Sequence, residues 1–201
     1  MVYDFDGREE EVDFLFYAGK VDWRAVNFLR KKAGGLICYV TGKEEAEALG
    51  LAFMTELVKQ RYPRLHKRPG YGDEPAFSIY VNHSSTRTGI SDEDRARTVS
   101  ELHRVVTMLE TDVEGAREKF YSEFYAPGHV PILISRGVER RKGHTELTTA
   151  LLRLVGLERS GVIAEILDDG RSMGKEKASR LAGRMGIPFV EGRRVLEAVS
   201  G

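Results

Sequence analysis

Short apolar runs alternate with segments of helical periodicity along the whole chain, and that alternation restricts the fold more than any other feature. Glu11 to Tyr17 reads as a strand. Asp22 can cap a helix whose apolar face is Trp23, Val26, Phe28 and Leu29, closed by Gly34-Gly35. Gly35 to Thr41 has the character of a buried strand, and Lys43 to Gln60 is helical with a break around Gly50. Arg61 to Pro75, rich in proline, glycine and basic residues, is a loop. Ala76 to Asn82 alternates as a strand, and Ser91-Asp92-Glu93-Asp94 opens a helix to about Leu109 with capping-box spacing. There follow a helix over Val113 to Phe124, a strand over Val130 to Ser135, a helix over Thr145 to Val155 and a strand over Gly161 to Leu167. A helix over Lys175 to Met185, closed by Gly186, and a last strand over Ile187 to Val190 complete the pattern. Such alternation implies α/β layers on a mostly buried sheet. The length of 201 residues suits one well-filled domain, or at most two small ones.

Charge narrows the function classes. Basic and acidic residues balance at 31 each, so the basic excess of a general nucleic-acid binder is missing. No apolar run approaches the roughly 20 residues of a membrane span. Met1 to Asp6 is acidic and has no apolar signal core, which leads to the expectation of a cytoplasmic protein. A single cysteine, Cys38, excludes an internal disulfide and a cysteine-rich zinc site. Few amides beside many charges fit a heat-adapted composition.

Several stretches carry candidate chemistry. Arg141-Lys142-Gly143-His144-Thr145-Glu146 lies at a helix start, where free backbone N–H groups and the helix dipole favour an anion. Arg141 can grip phosphate oxygens bidentately, Gly143 admits close approach, Thr145 adds a hydroxyl, and His144 can ligate a metal or move a proton. The same residues would also make an ordinary helix cap. Arg8-Glu9-Glu10-Glu11-Val12-Asp13, read as a strand, places Glu9, Glu11 and Asp13 on one face and Arg8 and Glu10 on the other. Three carboxylates in a row repel unless a cation sits among them, and Mg²⁺ prefers such oxygen ligands. A solvated acidic edge strand is the alternative. Thr86 to Ser91, between a strand and a capped helix, is a second place for phosphate or a plain connecting loop. His129 in Pro127-Gly128-His129 is an acid/base candidate or a turn residue. Glu165 interrupts the apolar run Val162 to Leu167, where a carboxylate is costly unless paired or functional. Cys38 fits best as a small core residue.

In order, these motifs resemble those of the 3,4-dihydroxy-2-butanone 4-phosphate synthase family. Arg8 to Asp13 is similar to its Arg-Glu-Glu-Glu-Gly-Asp motif, and Gly35 to Cys38 to its Gly-Tyr-Ile-Cys strand. Thr88 to Arg95 matches Thr-Gly-(Ile/Val)-Ser-x-x-Asp-Arg, Pro127 to Val130 matches Pro-Gly-His-Val, and Arg141 to Glu146 matches Arg-x-Gly-His-Thr-Glu. Ser160 to Glu165 resembles Ala-Gly-Val-x-x-Glu. Val12 stands where the family often has glycine, and the loop before Ala76 departs from its pattern.

The resemblance implies a three-layer α/β/α sandwich around a mixed twisted sheet, with residues 1–201 forming a single synthase domain. It implies conversion of ribulose 5-phosphate to 3,4-dihydroxy-2-butanone 4-phosphate and formate, with two Mg²⁺ ions per site. Glu9 and His144 would be the metal ligands. A histidine is unusual for so hard an ion, which brings in Mn²⁺ as an alternative. Arg8, Asp13 and Glu165 would contact the sugar. Arg141, Lys142, Gly143, His144 and Thr145, with Thr88 and Ser91, would hold the phosphate, and His129 and Glu165 would be the residues most needed for catalysis. The family is dimeric with shared active sites, so His129, Arg141 or His144 would act across an interface. Another metal-dependent sugar-phosphate lyase or isomerase is the nearest alternative, distinguished by whether formate is released. A nucleotide- or RNA-binding module is a more distant one, encouraged by the basic loop Arg61 to Arg68 and opposed by the neutral charge. A fused cyclohydrolase, whose zinc site needs several cysteines, is not expected within this sequence.

Overall fold

Ser160-Gly161-Val162-Ile163-Ala164 carries no charge before Glu165, and in the computed structural model, which describes residues 1–201, it runs mid-sheet. The strands are β1 (Val2–Tyr3), β2 (Val12–Tyr17), β3 (Cys38–Thr41), β4 (Phe77–His83), β5 (Phe124–Ile134), β6 (Ser160–Glu165), β7 (Leu167–Asp168), β8 (Arg171–Ser172) and β9 (Val190–Glu191). The α-helices are α1 (Trp23–Lys32), α2 (Lys43–Ala48), α3 (Met54–Arg61), α4 (Asp92–Met108), α5 (Val113–Glu123), α6 (His144–Leu154), α7 (Lys175–Met185) and α8 (Gly192–Ser200). Seven strands form one mixed sheet in the order β4-β5-β3-β6-β2-β1-β9, and β7-β8 is a separate hairpin. β6 pairs antiparallel with β2 and β3, whereas β3 pairs parallel with β5.

Side-chain alternation divides the sheet into two faces. Phe14, Tyr39, Val162 and Ala164 join the large core with Val26 and Leu29 of α1, Leu102 and Val105 of α4, and Phe120 of α5. Cys38, Val40, Leu133 and Ile163 look the other way, and on that side Val2 packs with Leu147 of α6 and Val195 of α8. The sheet therefore lies between two helical layers, as expected. Asp13 and Glu165 fall on the second face, opposite each other in the register of β2 and β6. α6 approaches that face from its N-terminus.

The capping signals hold. The Asp22 carboxylate accepts from the N–H groups of Arg24 and Ala25, and Ser91 Oγ accepts from Asp94 N–H. The expected break at Gly50 separates α2 from α3. Other elements differ. Residues 6–9 form a turn and β2 begins only at Val12, so Arg8 to Asp13 is not one strand. The cause is Asp4. Its buried carboxylate accepts from Glu9 N–H (3.1 Å), Glu11 N–H (3.0 Å) and Arg8 Nη1 (2.9 Å), curling the chain around it. β5 begins at Phe124 and not at Val130, because Tyr125 and Phe124 continue the pairing with β4 through an irregular register. No helix is long and apolar enough to cross a membrane.

Candidate active site

Three pieces of chain meet on the second face of the sheet. β2 and β6 bring Asp13 and Glu165. The curl around Asp4 brings Arg8 and Glu9. The start of α6 brings Arg141, His144 and Thr145. With Glu11, Tyr71, Pro75 and Phe77, most of these line a cavity of about 340 Å³. A larger depression of about 700 Å³, lined by Lys43, Arg136, Arg153 and Arg159, contains none of Glu9, Asp13 or His144.

His144 is the hub. Its Nδ1 lies 3.5 Å from Glu9 Oε2, and its Nε2 lies 3.7 Å from Asp13 Oδ1 and 3.2 Å from the Glu11 carbonyl. Burial pulls its pKa down, but Asp13, Glu9 and Asp4 outweigh that and raise it to about 9. Glu9 is pushed up by burial and pulled down further by His144 and Arg8, ending at about 2. Asp13 goes the other way. Burial raises it, the carboxylates of Glu165, Glu11 and Glu9 add to the rise, His144 offsets only part, and it reaches about 8. Burial also raises Glu165, whose Oε2 accepts the Leu36 N–H at 2.9 Å.

Arg141 is held by Glu146, a wholly buried carboxylate in the first turn of α6. Glu146 Oε2 accepts from Arg141 Nη1 (2.6 Å) and Gly143 N–H (3.2 Å), and Oε1 accepts from Arg136 N–H (2.9 Å). Gly143 is required by contact, since a Cβ there would run into the Arg141 guanidinium and stand 2.8 Å from Arg8 Nη2. Arg8 lies against Asp4 and Glu9 at 2.9 and 2.7 Å. It also reaches into the loop before β4, with Nε 2.9 Å from Asp73 and the guanidinium 5.0 Å from the Tyr71 ring centroid.

The donor set fits a hard cation. Ligand atoms of Asp4, Glu9 and His144 lie within 4.8 Å of one another, and Asp13 Oδ1 is buried with no hydrogen-bond partner. An oxygen left unpartnered among carboxylates is stabilised by a proton or by a cation, and a hard cation suits these oxygen donors.

Of the residues singled out in the sequence, Glu9, Asp13, Arg141, His144, Thr145 and Glu165 line the cavity, and Arg8 and Gly143 abut them. Lys142 is exposed and lies outside the lining. Thr88, Ser91 and His129 gather elsewhere, around Asn82 and the start of α4. The loop amides that would have met a phosphate there are already used: the N–H groups of Arg87, Thr88 and Gly89 donate to the Asp94 carboxylate at 3.0–3.3 Å. Ser91 Oγ serves as the α4 cap. No local pattern singled out Asp4, Tyr71, Asp73 or Asn82. Glu146 had a signal in its place three residues beyond the helix cap.

A cavity that sets carboxylates, a histidine and an arginine at a helix N-terminus defines an enzyme for an anionic, metal-chelating substrate. Comparison with known proteins names the family. The family model described as 3,4-dihydroxy-2-butanone 4-phosphate synthase matches residues 1–198. The synthase of Methanosarcina mazei is 36% identical, with 98% of this chain and 84% of that protein covered. That of Methanothermobacter thermautotrophicus is 37% identical, with 98% and 89% covered. A solved synthase in complex with two magnesium ions superposes with a TM-score of 0.73 at 28% identity, covering 96% of this chain and 86% of the other. A two-domain synthase from A. baumannii superposes with a TM-score of 0.75 at 27% identity, with 95% of this chain spanning 51% of it. The chain belongs to the 3,4-dihydroxy-2-butanone 4-phosphate synthase family, enzymes of riboflavin biosynthesis.

Proposed function

We propose that residues 1–201 act as one synthase domain that takes D-ribulose 5-phosphate to L-3,4-dihydroxy-2-butanone 4-phosphate and formate. The observation that carries this reading is the convergence of Glu9, Asp13, His144, Arg141 and Glu165 on one cavity at the start of α6. Arg141, fixed by Glu146, and the His144 and Thr145 N–H groups at the start of α6 suit the phosphate. Lys142, exposed beside them, can add charge to the approach. Glu9 and His144 would hold Mg²⁺, two ions per site, with Mn²⁺ able to replace it at the nitrogen ligand. Bound there, the metal would polarise the ketone and stabilise the negative charge that follows loss of the adjacent proton. Arg8, Asp13 and Glu165 face the sugar. Asp13, raised to about 8 chiefly by burial, can exchange a proton near neutral pH, where an ordinary carboxylate is too weak a base, and burial shifts Glu165 in the same direction. Dehydration, the skeletal shift and release of formate would follow inside a cavity narrowed by Tyr71 and Pro75.

His129, Thr88 and Ser91 would complete the site from a second copy of the chain, in a homodimer with shared active sites. Their exposure on one side of β4 and β5 favours this over a role within one chain. A cytoplasmic enzyme without nucleic-acid or membrane partners agrees with the balanced charge.

The test is turnover of ribulose 5-phosphate labelled with ¹³C at C4. Labelled formate that depends on Mg²⁺, disappears with a chelator and is lost in E9Q is the expected result. Intact substrate in the presence of either metal would refute the reading.

A further inference from the structure

Asn82, near the end of β4, is one of two asparagines in the chain and is 1% exposed. Two main-chain partners fix which way its amide points. The His129 N–H donates to Oδ1 at 2.8 Å, and the Thr88 carbonyl lies 3.4 Å from Nδ2. Nδ2 is therefore the donor end, and its nearest acceptors are the Tyr125 hydroxyl oxygen at 3.0 Å and His129 Nδ1 at 3.0 Å. An amide nitrogen cannot accept a hydrogen bond, so the ring nitrogen facing it carries no proton. A neutral imidazole with a bare Nδ1 has its proton on Nε2. Flipping the ring would set a carbon against the amide, and turning the amide would set two donors against each other at the His129 N–H. The arrangement is closely packed: a Cβ on Gly89 would overlap the Asn82 amide. His129 itself is exposed, so Nε2–H is the polar group the ring presents outward.

We propose that Asn82 is a positioning residue that locks His129 in its Nε2–H tautomer, so that His129 meets the substrate as a hydrogen-bond donor and not as a base. This rests on the placement of His129 in the active site under the function proposed above. With Nδ1 engaged by Asn82 and Nε2 protonated, the ring has no free lone pair with which to remove a proton from carbon. It does have a donor suited to an oxygen on which negative charge develops, and a neutral ring can fill that role. Proton abstraction then belongs to the carboxylates of the other cluster, Glu165 and Asp13.

Nitrogen-15 NMR on protein labelled in its five histidines reads the tautomer directly. The His129 signals are assigned by their absence in H129Q. In the wild-type ring, when neutral, Nδ1 is expected to be bare and Nε2 protonated. N82D keeps an acceptor for the His129 N–H but replaces the donor to Nδ1 with an acceptor. The ring proton should move to Nδ1, and kcat should fall about a hundredfold with KM little changed, the lower part of what one donor to a developing oxyanion contributes. N82S, which leaves the ring unoriented, should show mixed tautomers and an intermediate kcat, and it decides the matter if N82D does not fold. A wild-type His129 with its proton on Nδ1, or a folded Asn82 variant with undiminished kcat, overturns the proposal. Wild-type turnover by H129Q would instead refute the placement of His129 in the active site, whatever the NMR shows, and the positioning role would fall with it.

Discussion

Asp13 and Glu165 face each other across β2 and β6, an arrangement that costs stability unless a proton or a cation separates the charges. The folded chain without metal keeps the proton. Between the ordinary aspartate range and about 8, folded Asp13 is protonated where the unfolded residue is ionised, so stability falls as pH rises through that interval. His144 acts in the same direction over a higher interval, from the ordinary histidine range to about 9. Glu9 has the opposite sign: its contribution is complete above the ordinary glutamate range and is lost only as pH falls toward 2. Metal-free protein should therefore melt at a lower temperature near pH 9 than near pH 6, and D13N should remove part of that slope. If Mg²⁺ binds through Glu9 and His144 as proposed, it should oppose the trend, because binding needs ionised carboxylates and a neutral His144. The rise in Tm on adding Mg²⁺ should be larger near pH 9 than near pH 6, and a rise independent of pH would remove His144 from the ligand set. A second expectation concerns Glu146. E146Q preserves shape but takes away the charge that holds Arg141. A hydrogen bond to a charged group contributes about 1.5–3 kcal/mol, so KM for the sugar phosphate should rise roughly tenfold to a hundredfold. Steady-state kinetics on E146Q measures this, and an unchanged KM would mean that Arg141 does not hold the phosphate.

The loop between α3 and β4 is tied down at two points. Arg136 lies 3.6 Å from the Phe53 ring centroid, donates to the Pro75 carbonyl at 3.1 Å and reaches Glu74 at 3.5 Å. Arg8 holds Asp73 and Tyr71 at the cavity. Removing the first tie with R136A should speed trypsin cleavage after Arg61, Arg64 and Lys67 several times, with kcat/KM reduced. Limited proteolysis followed by mass spectrometry checks it, and cleavage at the wild-type rate would show that Arg136 does not restrain the loop. Elements with strong periodicity or a capping side chain were legible in the sequence: α1 from Asp22, α4 from Ser91, β6 from its apolar run. β1 was not, because two residues make it, and α8 was missed although Val195, Leu196 and Val199 stand at helical spacing. The site was legible where its residues lie close in sequence, as in Arg141 to Glu146. The curl at Arg8 to Glu11 was not, because it depends on Asp4, an acid that no local pattern distinguishes from its neighbours.

On the scale of the whole molecule, the groups expected in one site lie in two clusters. Glu9, Asp13, His144 and Glu165 share a cavity, while His129 and Thr88 surround Asn82 beside an edge strand of the sheet. Near the second cluster, Tyr125 is 44% exposed and Ile90 is 53% exposed, apolar area that a second copy would cover. Such a copy would also account for the separation of the clusters, by setting His129 of one chain over the cavity of the other. Two consequences distinguish this from a complete site within one chain. E9Q and H129Q, each inactive alone, should recover up to about a quarter of wild-type turnover when unfolded and refolded together in equal amounts, since half of the dimers are then mixed and each holds one intact site. I90R, which places a charge in the covered area, should shift sedimentation toward the monomer and make activity per chain depend on protein concentration. Full activity in a monomeric I90R would require each chain to work alone, and the cluster around Asn82 would then need another role.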